Sequence, residues 1–563
     1  MLLEALANLV NAFLVTAPLG QKAHFSHPDL PRLPSEVRAI TKNVAFQAQR
    51  DQPYFPIPFK ETETAAALKA IEGAVASLLA GTSNASGSEK QITVNLEKTT
   101  AFLFQAYLAT VGGLGKLDKN VRSLLKDTDL LQAQSNPYRR MSANLYETAS
   151  SGEYYHIHGS LEASTTLGFL GLEPFRPDLE THEQIVEVIE SAVRKFAPEQ
   201  LEALNAQHRQ AGVKALKHEQ FLQTQHGQVN SQIPPWAITN LEDKTPKHGL
   251  PATDPKRLLS GVKVLELCRI IAGPVVTRIL AEYGADVLKI TSPNLSDVPF
   301  FQVDGNMGKH AADLDLKSPE GRKHFEELLA DADVVVDGYR PQAIEKLGYG
   351  AKFLAELAAK RGKGFVYVNV NCFGYEGEWA HRPGWQQIAD CVSGIAWEQG
   401  KFMGLNEPVV PPFPISDYGT GCMGAITALV GLYHRATRGG SWHGKASLLQ
   451  YDLLLFKAGL LPPEVQETLR SWCGPDFLGL RHAHSVDQIS GTALRRMREA
   501  FPGLTLDKKY LDRWYAEAYK NDVEAVLPVV EIDGLDISFQ RASRPNGSDQ
   551  PSWSFGTDGD YRK

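Results

Sequence analysis

The chain reads as an α/β protein built on a doubly wound parallel sheet, with an additional α+β region ahead of it. Three observations predict this. From Leu258 onward, short β-branched runs alternate with segments of helical period, the pattern of repeated βαβ units. The first such run leads through Ala272-Gly273-Pro274, a turn with Pro at a first-helical position. Ahead of Leu258 the texture is different: helical periods, then a polar stretch rich in Gln and His.

The elements follow in order. Residues 1–150 read as mostly helical, with Ala65–Leu79 apolar at helical spacing and a Gly/Ser/Asn loop at Ala80–Ser88. The apolar residues near Met1 suit a buried helix. Glu4 stands where a secretory leader carries Lys or Arg. Residues 151–257 continue with an amphipathic stretch, His182–Phe196, and end in a charged, Pro- and Lys-containing crossing segment, Glu242–Arg257. Residues 258–452 hold the α/β pattern. Gly261–Cys268 is a strand, Val275–Tyr283 a helix stopped by Gly284, and Asp286–Ile290 the next strand. Ser318-Pro319 starts a helix with Phe325, Leu328 and Leu329 on one face, leading into strand Val334–Val336. Helices Gln342–Leu347 and Phe353–Lys360 and strand Phe365–Val370 complete the series. Residues 453–563 read as a helical region, Leu494–Val530 included, followed by a loose polar tail from Arg541.

Composition narrows the function. With 563 residues the chain has room for several domains and a large core. Hydrophobic content of 43%, charged content of 22% and net charge −7 describe an ordinary globular protein without the basic excess of a nucleic-acid binder. Five widely spaced cysteines without a CxxC predict a reducing compartment and no disulfide framework. No apolar run reaches the roughly 18 residues of a membrane span. Cytoplasmic residence is expected, with mitochondrial and peroxisomal residence left open.

Several chemistries are absent. Ile270-Ile271-Ala272-Gly273-Pro274 is not a G-x-G-x-x-G turn, and strand Asp286–Ile290 ends without the acidic residue a ribose needs. Gly112-Gly113-Leu114-Gly115-Lys116 lacks phosphate-loop spacing, and neither G-x-S-x-G nor H-E-x-x-H occurs. The pairs His156/His158 and His482/His484 have no ready third ligand, so no metal is expected. Lys309, Lys317, Arg340 and Lys346 fall near the expected sheet edge, where a set of cations can hold a nucleotide phosphate. Asp417, in Pro411-Pro412-Phe413-Pro414-Ile415-Ser416-Asp417-Tyr418-Gly419, stands at a helix start. It reads either as an N-cap or as a nucleophile at the helix's positive end.

The run from Leu258 to about Asp452 resembles the family III CoA-transferases, also called the CaiB/BaiF family. The resemblance lies in Leu259–Leu267, Arg269-Ile270-Ile271-Ala272-Gly273-Pro274, Tyr283–Ile290, Leu314-Asp315-Leu316-Lys317-Ser318-Pro319-Glu320-Gly321 and Ala332–Pro341. It continues in Cys372–Gly377, Arg382-Pro383-Gly384-Trp385 and Pro414-Ile415-Ser416-Asp417, all in order. It implies an acyl-CoA:carboxylate CoA-transferase with Asp417 as nucleophile, passing through an aspartyl anhydride and an aspartyl-CoA thioester. By matching position, Gln386 joins Asp417 at the catalytic site. Ala272, Leu314, Lys317, Tyr339, Arg340 and Lys346 fall along CoA. The implied partners are an acyl-CoA and a small carboxylic acid, with no permanently bound cofactor, no metal, no membrane and no nucleic acid.

The chain departs from the family pattern at named places. Gly338 replaces an Asn, Gln386 an acidic residue, and Trp385 the His of the racemase branch. The alternatives are a racemase-like isomerase and an inactive CoA-binding homologue. Some 257 residues precede the recognisable start. They read as a worn first copy, with residues 1–150 as a large-domain remnant and the stretch from Tyr154 as small-domain-like. One active site per chain is therefore expected, in a monomer of fused halves or a homodimer.

Overall fold

Seven β-branched or apolar segments pair into the central sheet. In chain order they are β1 (Trp236–Glu242), β2 (Lys263–Leu267), β3 (Asp286–Thr291), β4 (His310–Asp313), β5 (Val334–Asp337), β6 (Val366–Asn371) and β7 (Ser441–Ser447). The computed structural model describes residues 33–563 apart from 51, 83–89, 252, 506 and 557. The spatial order is β4-β3-β2-β5-β6-β7-β1. Strands β2 to β7 run parallel, and β1 closes one edge antiparallel to β7. The order reverses between β2 and β5, so the loops leaving their C-terminal ends diverge and open a crevice there.

Eight helices frame this sheet and its site: α1 (Glu61–Ala80), α2 (Ala272–Glu282), α3 (Pro319–Asp331), α4 (Ala351–Arg361), α5 (Gln386–Ser393), α6 (Ile415–Thr437), α7 (Leu448–Ala458) and α8 (Val486–Ala500). On one face α3 and α4 pack Phe325, Leu328 and Leu354 against Leu265 and Leu288. Ser318 caps α3 by accepting from Gly321 N at 3.0 Å, with Pro319 at the first position. On the other face α6 lies against β6, β7, α2 and α1. Its glycines allow the close approach. A Cβ at Gly421 would stand 2.3 Å from Val275 Cγ1, and one at Gly424 2.5 Å from Val276 Cγ2.

Helix α1 is an inner layer of the molecule. Nearly every residue of it is buried, including Lys69 and Glu72, which pair at 2.9 Å. Tyr283 at the end of α2 donates to Glu72 at 3.2 Å, tying the N-terminal region to the central layer. Strands Val44–Gln47 and Ile92–Asn95 flank α1 in parallel, and Val530–Ile532 adds a third, antiparallel strand. Beyond them, Ala143–Glu147, Tyr154–His158 and Ala211–Lys214 form an antiparallel sheet. Ile185 and Ile189 of the capped helix His182–Val193 pack on it.

The structure corrects three expectations of order. Among the described residues before 150, α1 is the one long helix, and strands and short turns take the rest. The expected helix at residues 1–10 and most of the loop at 80–88 lie outside the described residues. The stretch 494–530 leaves α8 and becomes a hairpin, Leu511–Ala516 with Asn521–Val526. There burial alternates at period two, which overrides any helical reading. The tail is anchored rather than loose. Arg544 is buried and donates to Asp549, Asp558 and Asp560 at 2.9, 3.0 and 2.8 Å. His310, Asp549 and Asp558 converge in a way that could suit a cation, but the Arg544 guanidinium already sits among them.

Candidate active site

The chain leaves β2 at Leu267 and must turn at once into α2. Ile271, at the start of that helix, has φ +52°. A β-branched residue rarely adopts this conformation. Phe413 (φ +65°) and Ser160 (φ +55°) share the left-handed region. All three border one cavity of about 620 Å³. Strain of this kind costs on the order of 1–3 kcal/mol per residue and concentrates where geometry is functional.

Asp417 lines the same cavity. It is not the cap of α6. The helix begins at Ile415 with Pro414 in the cap position, so Asp417 lies in the first turn, its N–H bonded to the Pro414 carbonyl at 3.1 Å. The helix's positive end still acts on it. Burial, then the charge of nearby Asp452, holds its carboxyl well above the usual range. Beneath it, Ser416 Oγ bridges Asp390 Oδ1 at 3.0 Å and Asp452 Oδ1 at 2.8 Å, and Ser393 Oγ donates to Asp452 at 3.0 Å. Burial raises both Asp390 and Asp452 as well. Two carboxyls around one hydroxyl in so dry a place are best accommodated by sharing a proton.

Gln386 also lines the cavity. Its Nε2 donates to Asp390, one helical turn on. Asp390 thus stands on the same face of α5 as Gln386, below the cavity-lining residues. Trp385 Nε1 donates to Ser160 Oγ at 2.9 Å, and its indole stacks on His158 at 5.2 Å. The far wall belongs to Tyr107, Lys116 and Arg140 with Asp487 from α8. Lys116 is bonded to Asp487, and Arg140 Nε lies 3.5 Å from it.

A second cavity of about 160 Å³ opens at the β2/β5 switch point, lined by Arg269, Tyr339, Thr291, Asp297 and Lys126. Asp127 borders both cavities. Gly338, where the family has Asn, is explained by Cys268: a Cβ there would meet Cys268 Sγ at 3.0 Å. The other expected CoA contacts are dispersed. Ala272 is buried in α2, and Leu314 is buried beside α3. Lys317 is exposed on the loop leaving β4, and Lys346 is exposed at the end of the short helix Ala343–Lys346 that follows β5. Arg340 donates to Ser160 Oγ at 3.5 Å and to the Arg209 carbonyl at 3.3 Å.

Lys309 is a correction. It is fully buried, donating to Glu266 and to the Pro274 carbonyl, both at 2.7 Å, so it is no surface cation. The histidine pairs also have other work. His482 bridges Glu190 at 2.8 Å and Glu407 at 3.1 Å. His156 and His158 are buried and stacked. Sequence reasoning passed over Arg269, although it opens the Arg269–Pro274 turn, and Asp390, although it stands at i+4 from Gln386. For Tyr107, Lys116 and Arg140 the sequence carried no signal.

A family model described as CoA-transferase family III matches residues 259–463. The acetyl-coenzyme A transferase nodX of Hypoxylon pulicicidum is 31% identical over 94% of this chain and 91% of that protein. An acyl-CoA transferase of Gibberella moniliformis is 33% identical over 90% of each. The succinyl-CoA–L-malate CoA-transferase beta subunit of Chloroflexus aurantiacus is 33% identical over 34% of this chain and 49% of its own length. Among solved structures, a CaiB/BaiF family protein from Brucella suis is 26% identical with a TM-score of 0.30, over 38% of this chain and 57% of that one.

Proposed function

The chain belongs to CoA-transferase family III and is an acyl-CoA transferase, and we propose that it moves CoA between two carboxylic acids with Asp417 as the nucleophile. The observation that carries this is the place of Asp417: a carboxyl in the first turn of a long helix, facing a cavity bordered by three strained residues. A carboxylate there attacks the donor thioester to give an aspartyl anhydride and CoA thiolate. The thiolate then attacks the aspartyl carbonyl, releasing the donor acid and leaving an aspartyl-CoA thioester. The acceptor carboxylate repeats the sequence in reverse. The anhydride keeps the activation of the thioester, which is why a weak nucleophile suffices. The positive end of α6 supports the charge that develops.

CoA is read as spanning the two cavities, its thioester in the larger and its nucleotide at the switch point. Tyr339 and Arg269 would face the nucleotide there. Lys317 and Lys346, exposed on the same edge of the sheet, are placed for its phosphates. Trp385 has no exchangeable base for α-proton removal, which favours transfer over isomerisation.

The test is a panel of acetyl-, succinyl- and other acyl-CoAs, each with a set of free acids. Transfer is expected for at least one pair and is expected to vanish in Asp417→Ala. An unchanged rate in that variant removes the proposal.

A further inference from the structure

Arg139 and Arg140 are neighbours in the N-terminal region with opposite duties. Arg139 is buried and fully spent. It donates to the Leu131 carbonyl at 3.1 Å, the Pro174 carbonyl at 2.9 Å, Ser164 Oγ at 3.0 Å and Glu162 at 3.4 Å. Arg140 lines the cavity that holds Asp417, with its side chain 16% exposed. Its Nε is buried without a hydrogen-bond partner. Its two terminal nitrogens are neither buried nor hydrogen-bonded among the described residues.

The carboxylate beside it is already used. Asp487 lies 3.5 Å from Arg140 Nε, but it is bonded to Lys116 and sits in the first turn of α8, whose positive end favours it. Two cations thus share one anion at this wall. Asp118, Asp127 and Asp129, which also border the cavity, accept backbone N–H groups of their own loops. The wall adjoins the start of α6. Lys116 lies 5.0 Å over the Tyr107 ring, whose centre is 5.1 Å from that of Phe413. Ser490, one turn after Asp487 on α8, accepts from Phe413 N at 3.0 Å.

A planar guanidinium fork without a partner matches a carboxylate through two parallel N–H donors. We propose that the acid handled here carries a second carboxylate, as a dicarboxylic acid or its mono-CoA thioester, and that Arg140 is the specificity residue that binds it while the other carboxyl reacts. The proposal rests on Asp417 as nucleophile. Only the near carboxylate forms bonds. Its oxygen attacks the aspartyl-CoA carbonyl carbon, and the C–S pair leaves on CoA thiolate. The thiolate then attacks the acid's own carbonyl and releases the Asp417 carboxylate. The distal carboxylate makes no covalent bond and keeps its charge. A phosphate of CoA would satisfy the same fork, so the test separates the two sources.

The experiment compares succinate, glutarate and adipate with butanoate, pentanoate and hexanoate as acceptors, using acetyl-CoA and succinyl-CoA as donors. In the wild type kcat/KM should favour a diacid over the monoacid of equal length by about 10- to 100-fold, the worth of charge-assisted hydrogen bonds. Arg140→Gln should erase that ratio and Arg140→Lys should keep part of it. Binding is read apart from turnover, by calorimetry of the diacids with CoA present on Asp417→Ala, with and without Arg140→Gln. The second substitution should weaken diacid affinity by about 10- to 100-fold. If Asp417→Ala still turns over, the nucleophile reading fails, while this binding difference is judged by itself. A diacid preference below about threefold in the wild type, a ratio unchanged in Arg140→Gln, or an unchanged diacid affinity overturns the proposal. A higher KM for acetyl-CoA in Arg140→Gln with the diacid preference intact assigns the arginine to a phosphate and overturns it too.

Discussion

Asp417 combines two demands that conflict. A nucleophile must be ionised, while its burial and Asp452 favour the proton. Two consequences follow from that sign. The rate of the first half-reaction should fall as pH drops through a value well above the ordinary carboxylate range near 4. A profile flat down to about pH 4 would contradict the environment described. The folded state also holds this proton more tightly than the unfolded chain, so ionising it costs stability as pH rises. Asp417→Asn should therefore be inactive yet melt higher than wild type at neutral pH, as seen by calorimetry. A lower melting temperature would mean the carboxylate is stabilised by something not identified. At this scale the proposed nucleophile stands out in the sequence through Pro414-Ile415-Ser416-Asp417. Its surroundings do not, because Asp390, Asp452 and Ser393 approach it only through folding of α5 and α7.

Elements whose period matched their burial were legible. Strands β2, β3, β5 and β6 and helices α2 and α3 fall within a few residues of their expected ends, since both faces of a parallel sheet demand apolar runs. The hairpin at Leu511–Val526 was not, because each strand is only six residues long with half of its residues buried. Asp417 as an N-cap was misplaced by one turn, since Pro414 starts α6 without a side-chain cap. The loop before α8 offers a test. His482 is pushed up to about 9 by its hydrogen bonds to Glu190 and Glu407, against the opposing effect of burial. A raised histidine pKa stabilises fully below the unfolded value near 6.5 and loses that contribution as pH rises through about 9. His482→Phe should thus cost roughly 3 kcal/mol at pH 6, shrinking to little above pH 9. Denaturant unfolding at the two pH values checks it, and an equal cost at both would contradict the bridge.

At the scale of the whole molecule, distant parts of the described chain line one cavity, the proposed site of transfer. Tyr107, Lys116, His158 and Ser160 wall the space that Asp417, Trp385 and Gln387 enter from residues 385–417. Helix α1 lies buried between α6 and the strands Ile92–Asn95 and Val530–Ile532. The α/β architecture of the second half could be read from sequence because its motifs are local and ordered. The role of the first half could not, since its contribution is a set of single side chains delivered by tertiary packing. Relatives that match over nine-tenths of the chain carry the same long arrangement. With Asp417 as nucleophile, each chain carries one reactive carboxylate, in the second half. Peptide mapping by mass spectrometry after acyl-CoA and hydroxylamine treatment tests this most directly. The predicted result is a hydroxamate on Asp417 alone, absent without acyl-CoA. Modification of a carboxylate within residues 1–250, or turnover with Asp417 unmodified, would contradict it.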